Sequence, residues 1–148
     1  NNFIPLRFRQ ELIYNTEKLK VINDSKSTSL SSTIPFLKTE EKIYWIVGGI
    51  YKKGDKFNLE KKYCKNLRAF IYGKDKFIFS KLLINKCNIE LKNDLKSCLN
   101  LIYEELNKEN DKITILFSPS AASFDQFKNF EDRGEKFDLL IRKYLLSK

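Results

Sequence analysis

The stretch ITILFSPSAAS, residues 113–123, indicates how this chain folds. Its first five residues are apolar or β-branched and do not alternate with polar ones, which is typical of a short strand buried on both faces of a sheet. A run of small and polar residues follows at once. The same kind of apolar run recurs at Leu19 to Ile22, Tyr44 to Val47 and Ala69 to Tyr72. A shorter run around Ile89 predicts a strand at the edge of the sheet.

Amphipathic patterns with the spacing of a helix lie between these runs. Their apolar positions are Leu95, Cys98, Leu99, Ile102 and Leu106; Phe137, Leu140, Ile141, Tyr144 and Leu145; Leu59, Tyr63 and Leu67; and, more weakly, Ile78 and Leu82. Asp94 and Asp75 stand where helix N-caps are expected. Near the start, Glu11 to Tyr14 and the polar turn at residues 15–17 predict a hairpin, which adds one antiparallel strand.

The alternation of strands and helices predicts an α/β fold. We expect a Rossmann-like three-layer sandwich, in which a mostly parallel sheet of about six strands, one of them antiparallel, has helices on both faces. The 148 residues are expected to form a single domain, residues 1–148. Methionine is absent, and an initiator Met is rarely removed before a residue as large as Asn1. We therefore interpret the chain as a part of a longer protein.

Composition excludes several classes of site. With no histidine, the chain has no Ser-His-Asp or Cys-His catalytic group and no His-ligated metal site. Three cysteines without a CxxC pair argue against a disulfide framework or a zinc site and favour a reducing cytosol. No apolar run approaches the ~20 residues of a membrane span. The net charge is +9, but acidic residues are interspersed with the basic ones, so we expect no nucleic-acid partner.

Three polar segments directly follow three of the predicted strands. They are NDSKST at residues 23–28, GGIYK at 48–52 and SPSAASFD at 118–125. Because ligands of an open α/β sheet bind beyond the carboxyl ends of its strands, these segments are expected to meet at one edge. Small residues let backbone amides approach an anion, and Ser, Thr and Lys suit carboxylate or phosphate oxygens.

Each segment also has a purely structural interpretation. Asp24, Ser25 and Thr28 are candidates to cap the following helix, Gly48-Gly49 can form a tight exit from a strand, and residues 118–123 can form an ordinary capped turn. The common nucleotide motifs G-x-x-x-x-G-K-[ST] and G-x-G-x-x-G are both absent. By itself the chain is therefore neither a P-loop NTPase nor a standard dinucleotide-binding protein.

The run SPSAASFDQFKNFEDRG, residues 118–134, closely resembles a signature of the C-terminal domain of the Mur ligases, which build peptidoglycan. The resemblance is strongest to the members that add D-glutamate. Residues 23–28, followed by Ser32-Thr33, resemble the first motif of that domain, and Gly48-Gly49 with Lys52 resembles its glycine–lysine loop. The motifs stand in the family order along nearly the whole chain.

The segment PLRF, residues 5–8, resembles the part of the family that leads into this domain and carries a nucleotide-contacting arginine. The family usually has His at the position of Leu6 and commonly has Cys at the position of Ala121. Members that add diaminopimelate typically show a D-x-P-R-type motif, which is absent here. Its absence favours D-glutamate as the amino acid added.

The resemblance implies the last domain of a bacterial, cytoplasmic and monomeric three-domain ligase. Such an enzyme uses ATP and Mg²⁺ to phosphorylate the carboxylate of UDP-N-acetylmuramoyl-L-alanine, and the amine of D-glutamate then displaces the phosphate. The product serves peptidoglycan synthesis, cell shape and cell division. The P-loop and the magnesium ligands belong to the other domains, so the isolated chain is expected to be inactive and to bind no cofactor. The alternatives are a sibling Mur-type or folylpolyglutamate-type ligase and a basic, non-catalytic phosphate- or nucleic-acid-binding module.

The resemblance also implies a role for individual residues. D-Glutamate is expected to contact Thr28, Lys52, Ser123, Phe124 and Phe130, with Phe130 as a wall of the pocket. ATP is expected to contact Arg7 and Asp24. Lys26 lies between the two ligands and serves either one; it is also the only candidate for a catalytic role. Lys53 is the alternative to Lys52, and no residue of this chain is expected to bind a metal.

Overall fold

The computed structural model describes residues 6–147. Pro5, part of the PLRF segment, lies outside the described residues. The strands are β1 (Glu11–Asn15), β2 (Leu19–Asn23), β3 (Lys42–Gly48), β4 (Leu67–Tyr72), β5 (Asn88–Leu91) and β6 (Ile113–Phe117). The helices are α1 (Leu30–Leu37), α2 (Lys76–Leu83), α3 (Leu95–Leu106) and α4 (Phe130–Leu146), and Lys61–Tyr63 forms a 3₁₀ turn.

The six strands form one sheet in the order β1-β2-β6-β3-β4-β5. Only the pair β1–β2 is antiparallel, and every other neighbouring pair is parallel. Strand β6 lies at the centre, where Ile115 is paired with Val21 on one side and Tyr44 on the other. The predicted mostly parallel sheet with a leading antiparallel hairpin is confirmed, and so is the edge position of the strand around Ile89.

Helices cover both faces of the sheet. Successive residues of a strand point to opposite faces, so they pack against different helix layers. Trp45 faces the layer of α1 and α2, while the next residue, Ile46, faces the layer of α3 and α4. On the second face the rings of Phe117 and Phe137 are stacked with centroids 4.5 Å apart. This arrangement confirms the expected three-layer sandwich.

The helix predicted from Leu59, Tyr63 and Leu67 is wrong. The connection from β3 to β4 contains only the short 3₁₀ turn, and Leu67 is already the first residue of β4. Phe57 and Leu59 are both buried although they are two positions apart, a spacing that extended chain produces and a helix does not. Phe57 stacks on Trp45 with ring centroids 5.7 Å apart, so this segment fills the core directly.

The two proposed N-caps have different outcomes. Asp94 caps α3 as predicted, since its side chain accepts a 2.8 Å hydrogen bond from the backbone N–H of Ser97. Asp75 stands at the N-cap position of α2, but its side chain makes no capping hydrogen bond. Its carboxylate instead accepts from the backbone N–H of Tyr51 at 2.8 Å, and it thus anchors the loop that follows β3.

Helix α2 exists where Ile78 and Leu82 predicted it, but its buried side is different. Phe79 and Leu83 are completely buried, whereas Ile78 is exposed and Leu82 only partly buried. The buried positions are thus one residue later than the sequence pattern indicates. Since each residue turns a helix by about 100°, the buried side of α2 is rotated by about that angle.

Candidate functional site

The three polar segments meet at the carboxyl edge of the sheet, as predicted. The N–H of Asp24 donates to the carbonyl of Phe117 at 2.7 Å, which ties the loop after β2 to the end of β6. The loops after β3 and β6 are joined by reciprocal backbone hydrogen bonds of 3.0 and 3.1 Å between Ile50 and Ala122. Each loop is thus held in position by at least one of the others.

The glycines at the end of β3 are required by this close packing. Gly48 has φ +150°, and a Cβ placed on it would lie 2.0 Å from the carbonyl oxygen of Tyr72. Gly49 has φ +126°, and its Cβ would lie 2.5 Å from the carbonyl oxygen of Ala122. The structural interpretation of Gly48-Gly49 as a tight strand exit is therefore correct, and the exit also brings the loop that carries Lys52 to the edge.

Asp24 is the buried acid of this edge. Its Oδ1 accepts from the backbone N–H of Gln10 at 2.9 Å, and its Oδ2 accepts from the hydroxyl of Ser118 at 2.7 Å. Burial raises the pKa of Asp24 above its usual value, and the hydrogen bonds from Ser118 and Gln10 oppose that rise only in part. The N-cap of α1 is Ser29, so the capping role considered for Asp24, Ser25 and Thr28 is wrong.

A chain of buried hydroxyls supports the carboxylate. Thr33 Oγ1 lies 2.6 Å from Ser118 Oγ, 2.7 Å from Ser120 Oγ and 2.7 Å from Ser27 Oγ. Because the single hydroxyl hydrogen of Ser118 is donated to Asp24, Thr33 must donate to Ser118. The hydroxyls of Ser120 and Ser27 also donate to the carbonyls of Ser118 and Ser29, at 3.1 and 3.4 Å. The path from Thr33 through Ser118 therefore has one direction, and it points at the carboxylate.

A cavity of about 570 Å³ opens beside Asp24. Its lining combines cations, hydroxyls, one carboxylate and two aromatic rings, from Arg9, Asp24, Lys26, Ser27, Thr28, Ser32, Phe36 and Phe130. The ammonium of Lys26 lies 4.6 Å from the centroid of the Phe130 ring, within the range of a cation–π contact. Such a set of groups can bind hydroxyls, anionic oxygens and a flat ring together.

The other expected site residues do not line this cavity. Lys52 and Phe124 are exposed, and Ser123 is buried, on the loops that follow β3 and β6. Arg7 forms an ion pair of 3.4 Å with Asp138 of α4, outside the cavity. The structure thus brings together Asp24, Lys26, Thr28 and Phe130, and it leaves the other expected residues on neighbouring parts of the same domain.

The chain is similar to UDP-N-acetylmuramoylalanine–D-glutamate ligases along nearly its whole length. It is 37% identical over 142 residues to the one of Wolbachia sp. subsp. Brugia malayi, covering 96% of this chain and 28% of the relative. It is 34% identical over 145 residues to the one of Rickettsia felis, covering 97% and 32%. The chain belongs to the Mur ligase family. The match is to the C-terminal part of these ligases, of which the chain spans about a third.

A solved Mur ligase has the same fold. The UDP-N-acetylmuramate–alanine ligase of Thermotoga maritima superposes with a TM-score of 0.58 over 95% of this chain and 30% of its own length, at 16% sequence identity. At this identity the similarity concerns the fold alone. No protein-family model matches the chain.

Sequence reasoning missed two residues that line the cavity of this Mur ligase domain. Arg9 lies two positions after the arginine that the family resemblance singled out. Phe36 lies four residues after Ser32 on α1, and residues at this spacing share one face of a helix. The sequence signal that could have found it is the spacing of four residues from the motif residue Ser32, and in the structure Phe36 is half exposed on that face.

Residues 6–147 contain neither a candidate membrane span nor a candidate metal site. No described helix combines the length and apolarity needed to cross a membrane. Within the same residues, no group of three or more Asp, Glu, Cys or His side chains is arranged to hold a metal ion.

Proposed function

We propose that residues 1–148 are the C-terminal domain of a monomeric, cytoplasmic, three-domain ligase that uses ATP to join D-glutamate to UDP-N-acetylmuramoyl-L-alanine. The name and the coverage of the relatives support this proposal. The observation that carries it is the cavity in which Lys26, Asp24 and Phe130 meet. This domain would supply one side of the nucleotide site and the pocket for D-glutamate.

The groups in the cavity fit a nucleotide. The carboxylate of Asp24 accepts two hydrogen bonds and has further lone pairs for ribose hydroxyls. Lys26 and Arg9 place two cations where phosphate oxygens would bind, since charged donors make the stronger hydrogen bonds to such groups. Bound ATP with Mg²⁺ supplies the phosphoryl group that activates the acceptor carboxylate. We assign the metal ligands to the other domains.

Arg7 is assigned to the same nucleotide, although its guanidinium contacts Asp138 here. The Arg7 side chain is 62% exposed, and exposed ion pairs contribute little free energy. Replacing the ion pair with Asp138 by a contact to a phosphate or ribose oxygen therefore costs little free energy.

D-Glutamate brings two carboxylates to the loops after β3 and β6. Lys52 offers an ammonium, Ser123 a hydroxyl and the chain at Phe124 backbone groups, while Thr28 reaches from the third loop. Closure of this domain over the rest of the enzyme would exclude water, which otherwise hydrolyses an acyl phosphate.

The test is an assay of the full-length protein that contains this chain. Phosphate release is measured with ATP, UDP-N-acetylmuramoyl-L-alanine and one of several amino acids. We expect turnover with D-glutamate and none with L-glutamate, L-lysine or diaminopimelate. Turnover with another amino acid would assign the chain to a sibling ligase. Inactivity combined with tight nucleic-acid binding at physiological salt would support the basic binding module instead.

A further inference from the structure

Arg133 is a completely buried cation on the first turn of α4. Its Nε donates to Ser25 Oγ at 3.0 Å, and its Nη1 donates to the carbonyl of Ala121 at 2.8 Å. Its Nη2 donates to the carbonyls of Ser25 and Ser27. One side chain thus binds two loops: the loop after β2, which carries Asp24, and the loop after β6.

The charge of Arg133 needs an explanation. Within residues 6–147 no carboxylate oxygen lies within 4.0 Å of its guanidinium, although the charges of Asp125 and Asp24 attract it from further away, and burial lowers its pKa from the ordinary value. An apolar side chain of similar size would fill this space without the cost of burying a charge. The guanidinium is therefore explained by what its hydrogen bonds hold together, since its planar array of donors reaches several carbonyls at once.

Ser25 extends the connection to the wall of the cavity. Its hydroxyl accepts from Arg133 and donates to the carbonyl of Phe130 at 2.7 Å. The ring of Phe130 in turn contacts Lys26. The first turn of α4, the loop after β2 and the loop after β6 are therefore joined in one hydrogen-bond network.

We propose that Arg133 is a positioning residue, which fixes the nucleotide-binding loop relative to the loop that contacts D-glutamate. This inference rests on the proposed function. It implies that a change at Arg133 disturbs both ligand sites at once, although Arg133 touches neither ligand. A change at Lys52, by contrast, disturbs only one.

The test uses steady-state kinetics of the full-length protein with Arg133→Lys, which keeps the charge and loses the planar array of donors. We expect the KM values for ATP and D-glutamate to rise together, each by about tenfold, as for the loss of a charge-assisted hydrogen bond. The kcat per folded molecule should change less. A variant with a lower kcat or less folded protein but unchanged KM values would show that Arg133 serves only the fold, and would overturn the proposal.

Ser25→Ala is the second variant, used also if Arg133→Lys does not fold. It removes one acceptor of the guanidinium and should raise both KM values in the same direction by a smaller factor. Ser80→Ala on α2 is the matched control, because Ser80 lies outside the three loops. Ser25→Ala with both KM values unchanged would contradict the proposal.

Amide hydrogen exchange separates this inference from the proposed function. If the wild-type protein adds no D-glutamate, the proposed function fails, but the connection between the loops is still measurable. Arg133→Lys and Ser25→Ala should then accelerate exchange at the amides of Ser27 and Ala122 together, which are hydrogen-bonded to Asp24 and Ile50. The central strand β6 should stay protected. Unchanged exchange in both loops would overturn the proposal.

Discussion

Ser118 and Asp24 lie 94 positions apart in the sequence and are joined by a 2.7 Å hydrogen bond from Oγ to Oδ2. The bond orients a buried carboxylate at the rim of the cavity and connects it to the hydroxyl of Thr33. It also stabilises the ionised form of Asp24, whose pKa burial raises. Ionised Asp24 is thus held at the candidate nucleotide site although its burial lowers the folding stability. This loss of stability can be measured as a dependence of the melting temperature on pH.

Asp24→Asn should remove the pH-dependent loss of stability that the raised pKa of Asp24 causes. The folded-state pKa of Asp24 lies above its ordinary value of 3.8, so the unfolded chain loses this proton first as the pH rises. Folding stability then falls with rising pH across the window that starts near 3.8 and ends at the raised pKa. Asparagine does not ionise, so the melting temperature of the variant relative to the wild type should rise with pH across that window and then stay level. The amide nitrogen cannot accept the hydrogen bond from Ser118, and this loss lowers the stability of the variant at every pH.

Glu104→Gln is the matched control for replacing an acid by its amide, because Glu104 is exposed and lies outside the cavity. The Asp24→Asn enzyme should also bind ATP more weakly. A melting temperature of Asp24→Asn that falls relative to the wild type as the pH rises would contradict the assignment of a raised pKa.

Lys26→Ala should raise the KM for ATP more than the KM for D-glutamate. Lys26 lines the same cavity as Asp24, and its loss removes a charged donor to a phosphate oxygen, which corresponds to about a tenfold effect. Lys74→Ala is the control, because Lys74 is an exposed lysine whose backbone N–H alone makes a hydrogen bond among the described residues. The reverse order of the two KM changes would assign Lys26 to D-glutamate.

Lys52→Ala should raise the KM for D-glutamate by about 10- to 150-fold, the range that a charge-assisted hydrogen bond of about 1.5–3 kcal/mol gives. The KM for ATP should change much less. Lys53→Ala is the control and should be nearly silent, although both lysines are exposed on the same loop. A large effect of Lys53→Ala with a silent Lys52→Ala would shift the functional lysine by one position.

Gly48→Ala should destabilise the domain by about 2–6 kcal/mol, since it adds a strained backbone conformation to an overpacked contact. The added methyl would lie 2.0 Å from the carbonyl oxygen of Tyr72. Gly54→Ala is the control: it also has a positive φ, +86°, but nothing lies within 4 Å of its Cβ. Chemical denaturation measures both variants, and equal losses would show that close packing at Gly48 is unimportant.

Local patterns were sufficient for most of the elements. The apolar run at residues 113–117 predicted β6 with its bounds as observed, and Asp94 predicted the start of α3. Both signals depend on neighbours within about one helical turn or one strand. The pattern failed at Leu59, Tyr63 and Leu67, because these residues belong to an extended chain, a 3₁₀ turn and a strand and not to one helix.

The sequence by itself determined the fold class, the three polar loops and the family to which they belong. The tertiary structure alone decided which of the expected residues share a cavity. It placed Arg7 against Asp138, brought Arg9 and Phe36 to Asp24, and enclosed Arg133 between two loops. The physical reason is that strand order, with β6 inserted between β2 and β3, sets which distant side chains meet, and no local periodicity carries that order.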